Sequence, residues 1–145
     1  MFTHILLPTD GSPLSETAIH KGIQFAKSIN ATVTGFHAIP SFHVFTWQTA
    51  MLEETKEQFA QASRAHAEHC LAVLKKAADA AGVMCDVASV TTDHPYEAII
   101  KAAEDKGCDL ILMASHGRSG MQGVLLGSET HKVLTHTKIP VLVFR

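Results

Sequence analysis

The chain has 145 residues, 46% of them apolar and 18% charged, enough for one buried core and too apolar for a disordered segment. Twelve basic and fourteen acidic residues leave a net charge of -2, so no strong positive field invites a nucleic-acid backbone. Ten histidines would raise that charge to +8 if all were protonated, so the electrostatics change near pH 6. Cys70, Cys85 and Cys108 are widely spaced and odd in number; they read as reduced thiols of a cytoplasmic protein. The start, MFTHILLPTDGS, lacks a basic, long-apolar leader, and no apolar run nears the ~20 residues that span a bilayer.

The run Thr3–Leu7 predicts a strand buried on both faces, stopped by Pro8. Thr9-Asp10-Gly11-Ser12-Pro13 is a turn that can start a helix, and Leu14, Ala18, Gly22, Phe25 and Ile29 then mark one helical face. Ala31–Ala38 reads as a second strand. A connector from Pro40 to Thr49 carries Phe42, Phe45 and Trp47. These aromatic residues either pack over the core edge or form a lid. A long helix runs from Met51 to Ala81, with Phe59, Ala62, Cys70, Leu74 and Ala78 near one stripe and Gly82 as its stop.

Val83–Thr91 predicts a third strand, and His94-Pro95-Tyr96-Glu97 opens a helix that faces Ile99, Ile100 and Ala103 inward and ends at Gly107. Asp109–Ser115 is the most apolar strand candidate. A glycine-rich loop spans His116–Gly127, Ser128 reads as the cap of a helix to about Thr137, and Ile139–Phe144 is the last strand. Strands alternating with helices predict one domain, 1–145, with a five-stranded parallel sheet and helices on both faces. Ligands of such sheets sit beyond the carboxyl ends of the strands, where strand order reverses. Pro8–Ser12 and Ala114–Thr130 are the segments expected there.

Gly117, Gly120, Gly123 and Gly127 fall within eleven positions ahead of a helix start. Glycines let backbone N–H groups approach an anion, and a helix N-terminus favours negative charge. A phosphate fits there, with the hydroxyls of Ser128 and Thr130 and the guanidinium of Arg118 nearby. A flexible loop with an ordinary serine cap explains the same glycines. Neither GxxxxGK[ST] nor GxGxxG is present, which disfavours a Walker-type NTPase and a dinucleotide dehydrogenase.

The run Ala114-Ser115-His116-Gly117, nine residues, Gly127-Ser128 resembles the pattern G-x2-G-x9-G-[ST] of the universal stress proteins, with alanine at the first position. The start Ile5–Ser12 and the ending Ile139–Val143 resemble that family's opening and closing strands. The resemblance implies a Rossmann-like fold of the adenine-nucleotide α-hydrolase type and an ATP site. Pro8, Thr9 and Asp10 would lie at the ribose or adenosine end, and Ala38 against the adenine. Met113 and Ala114 would line the base and sugar region, and Gly117, Arg118, Gly127, Ser128, Glu129 and Thr130 would surround the phosphates. His116 either contacts a phosphate or donates to backbone. The Glu129 carboxylate would repel phosphate, so it is expected to turn outward and leave only its N–H to the ligand. A divalent ion such as Mg²⁺ can bridge the phosphates, but the chain has no dedicated metal cage.

The remaining candidates read as structural. His66 and His69 form a solvated helix face rather than a metal pair, His37 is a satisfied core histidine, and Cys108 lacks a base to activate it. No catalytic residue is assigned. The function implied is regulatory: an ATP-binding stress-response protein of the cytoplasm, dimeric through its C-terminal strand, read by an unidentified partner. The alternatives are a dimeric interaction protein without a nucleotide and an adenylate-transferring enzyme.

Overall fold

A computed structural model describes residues 1–42, 49–117 and 126–145, with side chains outside 49–54. The elements run β1 (His4–Pro8), α1 (Pro13–Ile29), β2 (Thr32–Pro40), α2 (Thr49–Ala81), β3 (Cys85–Thr92), α3 (Pro95–Asp105), β4 (Leu110–Ala114), α4 (Ser128–His136) and β5 (Val141–Phe144). All strand pairs are parallel, in the order β3-β2-β1-β4-β5. The expected α/β architecture is therefore present. Strand order reverses between β1 and β4, and the two suspected ligand segments leave the sheet there.

Period-two alternation divides the core. Ile5 and Leu7 of β1 join Ile19, Ile23, Leu74, Ala78 and Leu112 under α1 and α2. Leu6 faces the other way, onto Phe36, Ile99, Ala103, Ile111, Met113 and Val133 under α3 and α4. All of β4 is buried, as its continuous apolar run requires. The buried face of α1 comprises Ser15, Ala18, Ile19, Gly22, Ile23 and Ala26. That is one position off the stripe counted from Leu14. Ala18 and Gly22 belong to both, but the branched Ile19 and Ile23 fill the core and leave Phe25 half-buried and Ile29 partly exposed.

Local signals set the element ends. The Ser12 side chain caps α1 by accepting from Ser15 N–H at 3.2 Å, with Pro13 in the first turn. Asn30, in the left-handed region at φ 59°, closes α1 by donating its N–H to Ala26 and Lys27 carbonyls. Cys70 and Cys108 are buried and Cys85 half-buried; all three are free thiols. Burial first, then the neighbouring Asp109 charge, pushes the Cys108 thiol up to about 11, so it is inert at neutral pH. No helix among the described residues is long and apolar enough to cross a membrane.

Asp109 ties the start of β1 to the approach of β4. Its carboxylate accepts from Thr3 N–H at 2.8 Å, His4 N–H at 3.0 Å and the Thr3 hydroxyl at 2.8 Å. Burial pushes its pKa up, but the His4 and Thr3 donors outweigh it and hold the group below its ordinary 3.8. A carboxylate with a depressed folded pKa stabilises above its unfolded value and loses that contribution as pH falls through the folded one. Asp109→Ala should cost about 1 kcal/mol at neutral pH, allowing for solvent screening. Denaturant melts of parent and variant should converge as pH falls below the ordinary carboxylate range, where the parent carboxylate takes up its proton.

Candidate functional site

A cavity of about 930 Å³ opens beyond the carboxyl ends of β1, β2 and β4. Pro8, Thr9 and Asp10 enter it from β1, Ala38 from β2, and Met113 and Ala114 from β4. His116, Gly117, Gly127, Ser128, Glu129 and Thr130 complete one end. Every described residue that the sequence assigned to the nucleotide site thus lines one cavity. Arg118, Phe45 and Trp47 lie outside the described residues, as do Gly120 and Gly123.

The turn after β1 is built by short polar side chains. Thr9 N–H continues the ladder to Phe36 carbonyl at 2.9 Å. The Thr9 hydroxyl accepts from Gly11 N–H at 3.2 Å and lies 3.2 Å from the Ser15 hydroxyl. Asp10 Oδ1 accepts from Ser12 N–H at 2.9 Å, an Asx-type turn. Gly11 sits at φ +81°, where a side chain is strained. The Asp10 carboxylate reaches across to Gly117. A Cβ on residue 117 would collide with Asp10 Oδ2, so a side chain there would have to displace the Asp10 carboxylate.

At the other end, Gly127 rather than Ser128 is the N-cap of α4, and Ser128 is the first helical residue. The shift has a visible cause. Gly127 N–H donates to Ser115 carbonyl at 2.6 Å, which holds residue 127 in extended backbone, φ -66° and ψ 154°. The first internal bond, His131 N–H to Gly127 carbonyl at 2.9 Å, leaves the N–H groups of Ser128, Glu129 and Thr130 without an acceptor inside the helix. The helix dipole adds positive potential there. A Cβ on residue 127 would stand 3.0 Å from Ser115 carbonyl oxygen and 3.3 Å from His116 Cα, both rigid backbone atoms.

Side chains around this helix start have defined duties. Thr130 is buried and donates its hydroxyl to Ala114 carbonyl at 2.9 Å, so that proton is not offered to a ligand. The Glu129 carboxylate accepts from Tyr96 N–H at 2.9 Å and lies 3.4 Å from Lys132 Nζ. It caps α3, which takes its charge away from the first turn of α4. Ser115 is buried, and its hydroxyl lies 2.9 Å from His116 Nδ1. Ser128 is exposed at the helix start.

Sequence reading missed the wall supplied by α2. Phe59, Ala62, Ser63 and His66 line the cavity, with Pro95 and Ile99 of α3. The stripe Phe59, Ala62, His66, Cys70, Leu74 was the available signal. Its second half packs on the sheet, and its first half overhangs the cavity. His66 is therefore half-buried and bonded to the Asp10 carbonyl at 3.2 Å, rather than part of a solvated face. His69 is exposed. His37 is buried and donates Nδ1–H to Thr9 carbonyl at 2.8 Å, the satisfied core histidine expected. Phe42 meets the Phe59 ring at 5.2 Å. No group of three or more His, Cys, Asp or Glu among the described residues could hold a metal ion.

Residues 1–145 match the model of the Universal stress protein family. The chain belongs to the universal stress protein family. It is 30% identical to the universal stress protein MJ0577 of Methanocaldococcus jannaschii, covering all of this chain and 96% of that one. The structure of MJ0577 superposes with a TM-score of 0.79 over 99% of this chain and 95% of that one. A universal stress protein solved in complex with cAMP is 25% identical, with a TM-score of 0.72, covering 99% of this chain and 97% of that one. An Arabidopsis thaliana family member, At3g01520, solved with AMP bound, shares the fold at 14% identity and a TM-score of 0.67; 98% of this chain and 90% of that chain are covered.

The Thr130 hydroxyl supplies a check on this geometry. Thr130→Val keeps the shape but leaves a buried carbonyl without its donor, which should cost about 1–3 kcal/mol. Thr130→Ser should recover most of that loss. Thermal melts of the three proteins measure it.

Proposed function

We propose that this universal stress protein binds an adenine nucleotide, ATP, in the cavity at the β1/β4 switch point and acts as a cytoplasmic stress-response regulator. The observation that carries the reading is the first turn of α4, which borders the cavity. Ser128, Glu129 and Thr130 line the cavity, and the N–H groups of a helix's first turn have no acceptor within the helix. The one carboxylate of that turn is already spent on Tyr96 N–H. A polyphosphate fits such a donor set. The nucleoside would lie between Asp10, Ala38 and the apolar walls of Phe36, Phe59 and Met113. The relatives solved with cAMP and AMP support the adenosine half of the ligand. Mg²⁺ would arrive with the triphosphate, holding most of its own water. Bound ATP would set a surface read by a partner protein.

Calorimetric titration with ATP and Mg²⁺ tests this directly. The parent should release or take up heat at millimolar nucleotide or below. Gly127→Val should abolish binding, because its side chain meets Ser115 and His116 backbone. Ser128→Ala removes one exposed hydroxyl and keeps the amides, so a loss of about 1 kcal/mol is expected. Asp10→Ala should weaken ATP more than inorganic tripolyphosphate. Ala114→Gly, which restores the motif's first glycine, should tighten binding. A silent parent that Ala114→Gly does not rescue would leave the reading of a dimeric interaction module.

We also infer a homodimer through β5. Exposed sheet edges invite a second strand, and β5 is an edge with Leu142 37% exposed. The carbonyls of Pro140 and Phe144 accept from Ile111 and Ser115 N–H, at 2.9 and 2.7 Å. By two-residue alternation Leu142 also turns its backbone towards β4, and Val141 and Val143 turn theirs outward. Proline at Leu142 would therefore break the internal ladder. Val143→Pro removes an outward N–H instead, and light scattering should show a dimeric parent and a folded, monomeric variant. A monomeric parent at micromolar concentration would overturn the assignment.

A further inference from the structure

The turn that presents Asp10 is held from behind by two histidines on different elements. His37 of β2 bonds the Thr9 carbonyl through Nδ1 at 2.8 Å. His66 of α2 bonds the next carbonyl, that of Asp10, through Nε2 at 3.2 Å. A carbonyl only accepts, so each ring carries its proton on the named nitrogen. The rings meet edge to face at 5.4 Å, bracing each other. His66 also lines the cavity, so it stands between the turn and the space beside it.

Steric contacts complete the clamp. The position a side chain on residue 11 would take is 2.9 Å from His66 Cε1 and 2.8 Å from Cys70 Sγ. The turn is thus seated directly on α2 and has no room to sink further. Moving outward would lengthen both histidine bonds. The Asp10 carboxylate is restrained on its other side by Ser12 N–H and by the Gly117 backbone.

We propose that His66, backed by His37, is a positioning residue for the nucleoside half of the ligand: it holds the Asp10 turn in register with the cavity, so that the seating of α2 sets nucleoside affinity. This assignment rests on the nucleotide reading above. It adds a residue outside the glycine-rich pattern and gives α2 a role in recognition as well as packing. Because His66 acts through Asp10, removing either should spoil the same interaction, and removing both should add little. Glutamine reaches similarly and keeps an N–H donor. Leucine keeps the bulk and loses the donor.

The test is calorimetric titration of ATP and of inorganic tripolyphosphate into the parent, His66→Leu, His66→Gln, Asp10→Ala and the His66→Leu/Asp10→Ala double variant. His66→Leu should weaken ATP about tenfold while changing tripolyphosphate less than about twofold. His66→Gln should bring ATP back to within about threefold of the parent. The double variant should bind ATP no more weakly than Asp10→Ala alone, within about twofold. Should His66→Leu not fold, His66→Ser, which is too short to reach the carbonyl, replaces it in the same comparison. Unchanged ATP affinity in the variant without the donor, failure of glutamine to rescue, or additive losses in the double variant would each overturn the assignment. A parent that binds neither probe overturns the nucleotide reading and this assignment with it. A parent that binds both, with additive losses, overturns this assignment alone.

Discussion

The close approach of two chain segments between β1 and β4 governs the rest of the site. The strands are neighbours, but the chain leaves β1 towards β2 and arrives at β4 from the far side of the sheet. At the crossing of the two loops between their carboxyl ends, a side chain on one loop would meet the Asp10 carboxylate of the other. Gly117 avoids that contact, with the Asp10 carboxylate filling the space a Cβ would take. The Ser115–Gly127 bond then draws the start of α4 back to the same point. One crossing thus brings the acidic turn and the donor-rich helix end to a single cavity.

Polar satisfaction shows how little of this arrangement is free to move. Among the described residues every buried side-chain nitrogen and oxygen has a partner. Thr9, Ser12 and Ser15 bond one another and the turn they support. Thr130 fastens α4 to the end of β4, and Glu129 fastens it to α3. Each of these side chains belongs to a class that a sequence reader assigns to ligand contact. In the fold these side chains bond backbone groups and one another, and under the proposed reading main-chain amides would carry the anion binding. Backbone dipoles held by a rigid frame cost no reorganisation when an anion arrives, whereas flexible side chains would.

The helices divide the labour unequally. α1 supplies core over the sheet, and only its first turn, through Ser15, reaches the cavity. α2 runs past its contact with the sheet: Leu71, Leu74 and Ala78 are buried, and the part from Phe59 to His66 forms a cavity wall. A helix rises about 1.5 Å per residue, so the 33 residues of α2 overshoot β2 and β3, the strands of 9 and 8 residues on which it packs.

Much of the architecture was legible in the order of residues. The apolar runs, the helix-starting turn Thr9–Pro13, the stops at Gly82 and Gly107, and the alternation of strand and helix are local properties, decided by φ preferences and side-chain periodicity within a few residues. The spacing from Gly117 to Gly127 was legible too, because close backbone approach forbids a side chain at defined positions. What tertiary structure alone decided is partnership at long range. The sequence reading put Ser128 at the helix cap, yet the cap is Gly127, because Ser115 claims its N–H across eleven intervening residues. His66 read as a solvated helix residue, and it became part of the cavity because α2 is packed against the Asp10-Gly11 turn more than fifty positions earlier. Hydrogen-bond donors have no preference among carbonyls until folding brings one within 3 Å. That is why residue types could suggest an anion site, while the roles of individual side chains had to wait for the packed sheet.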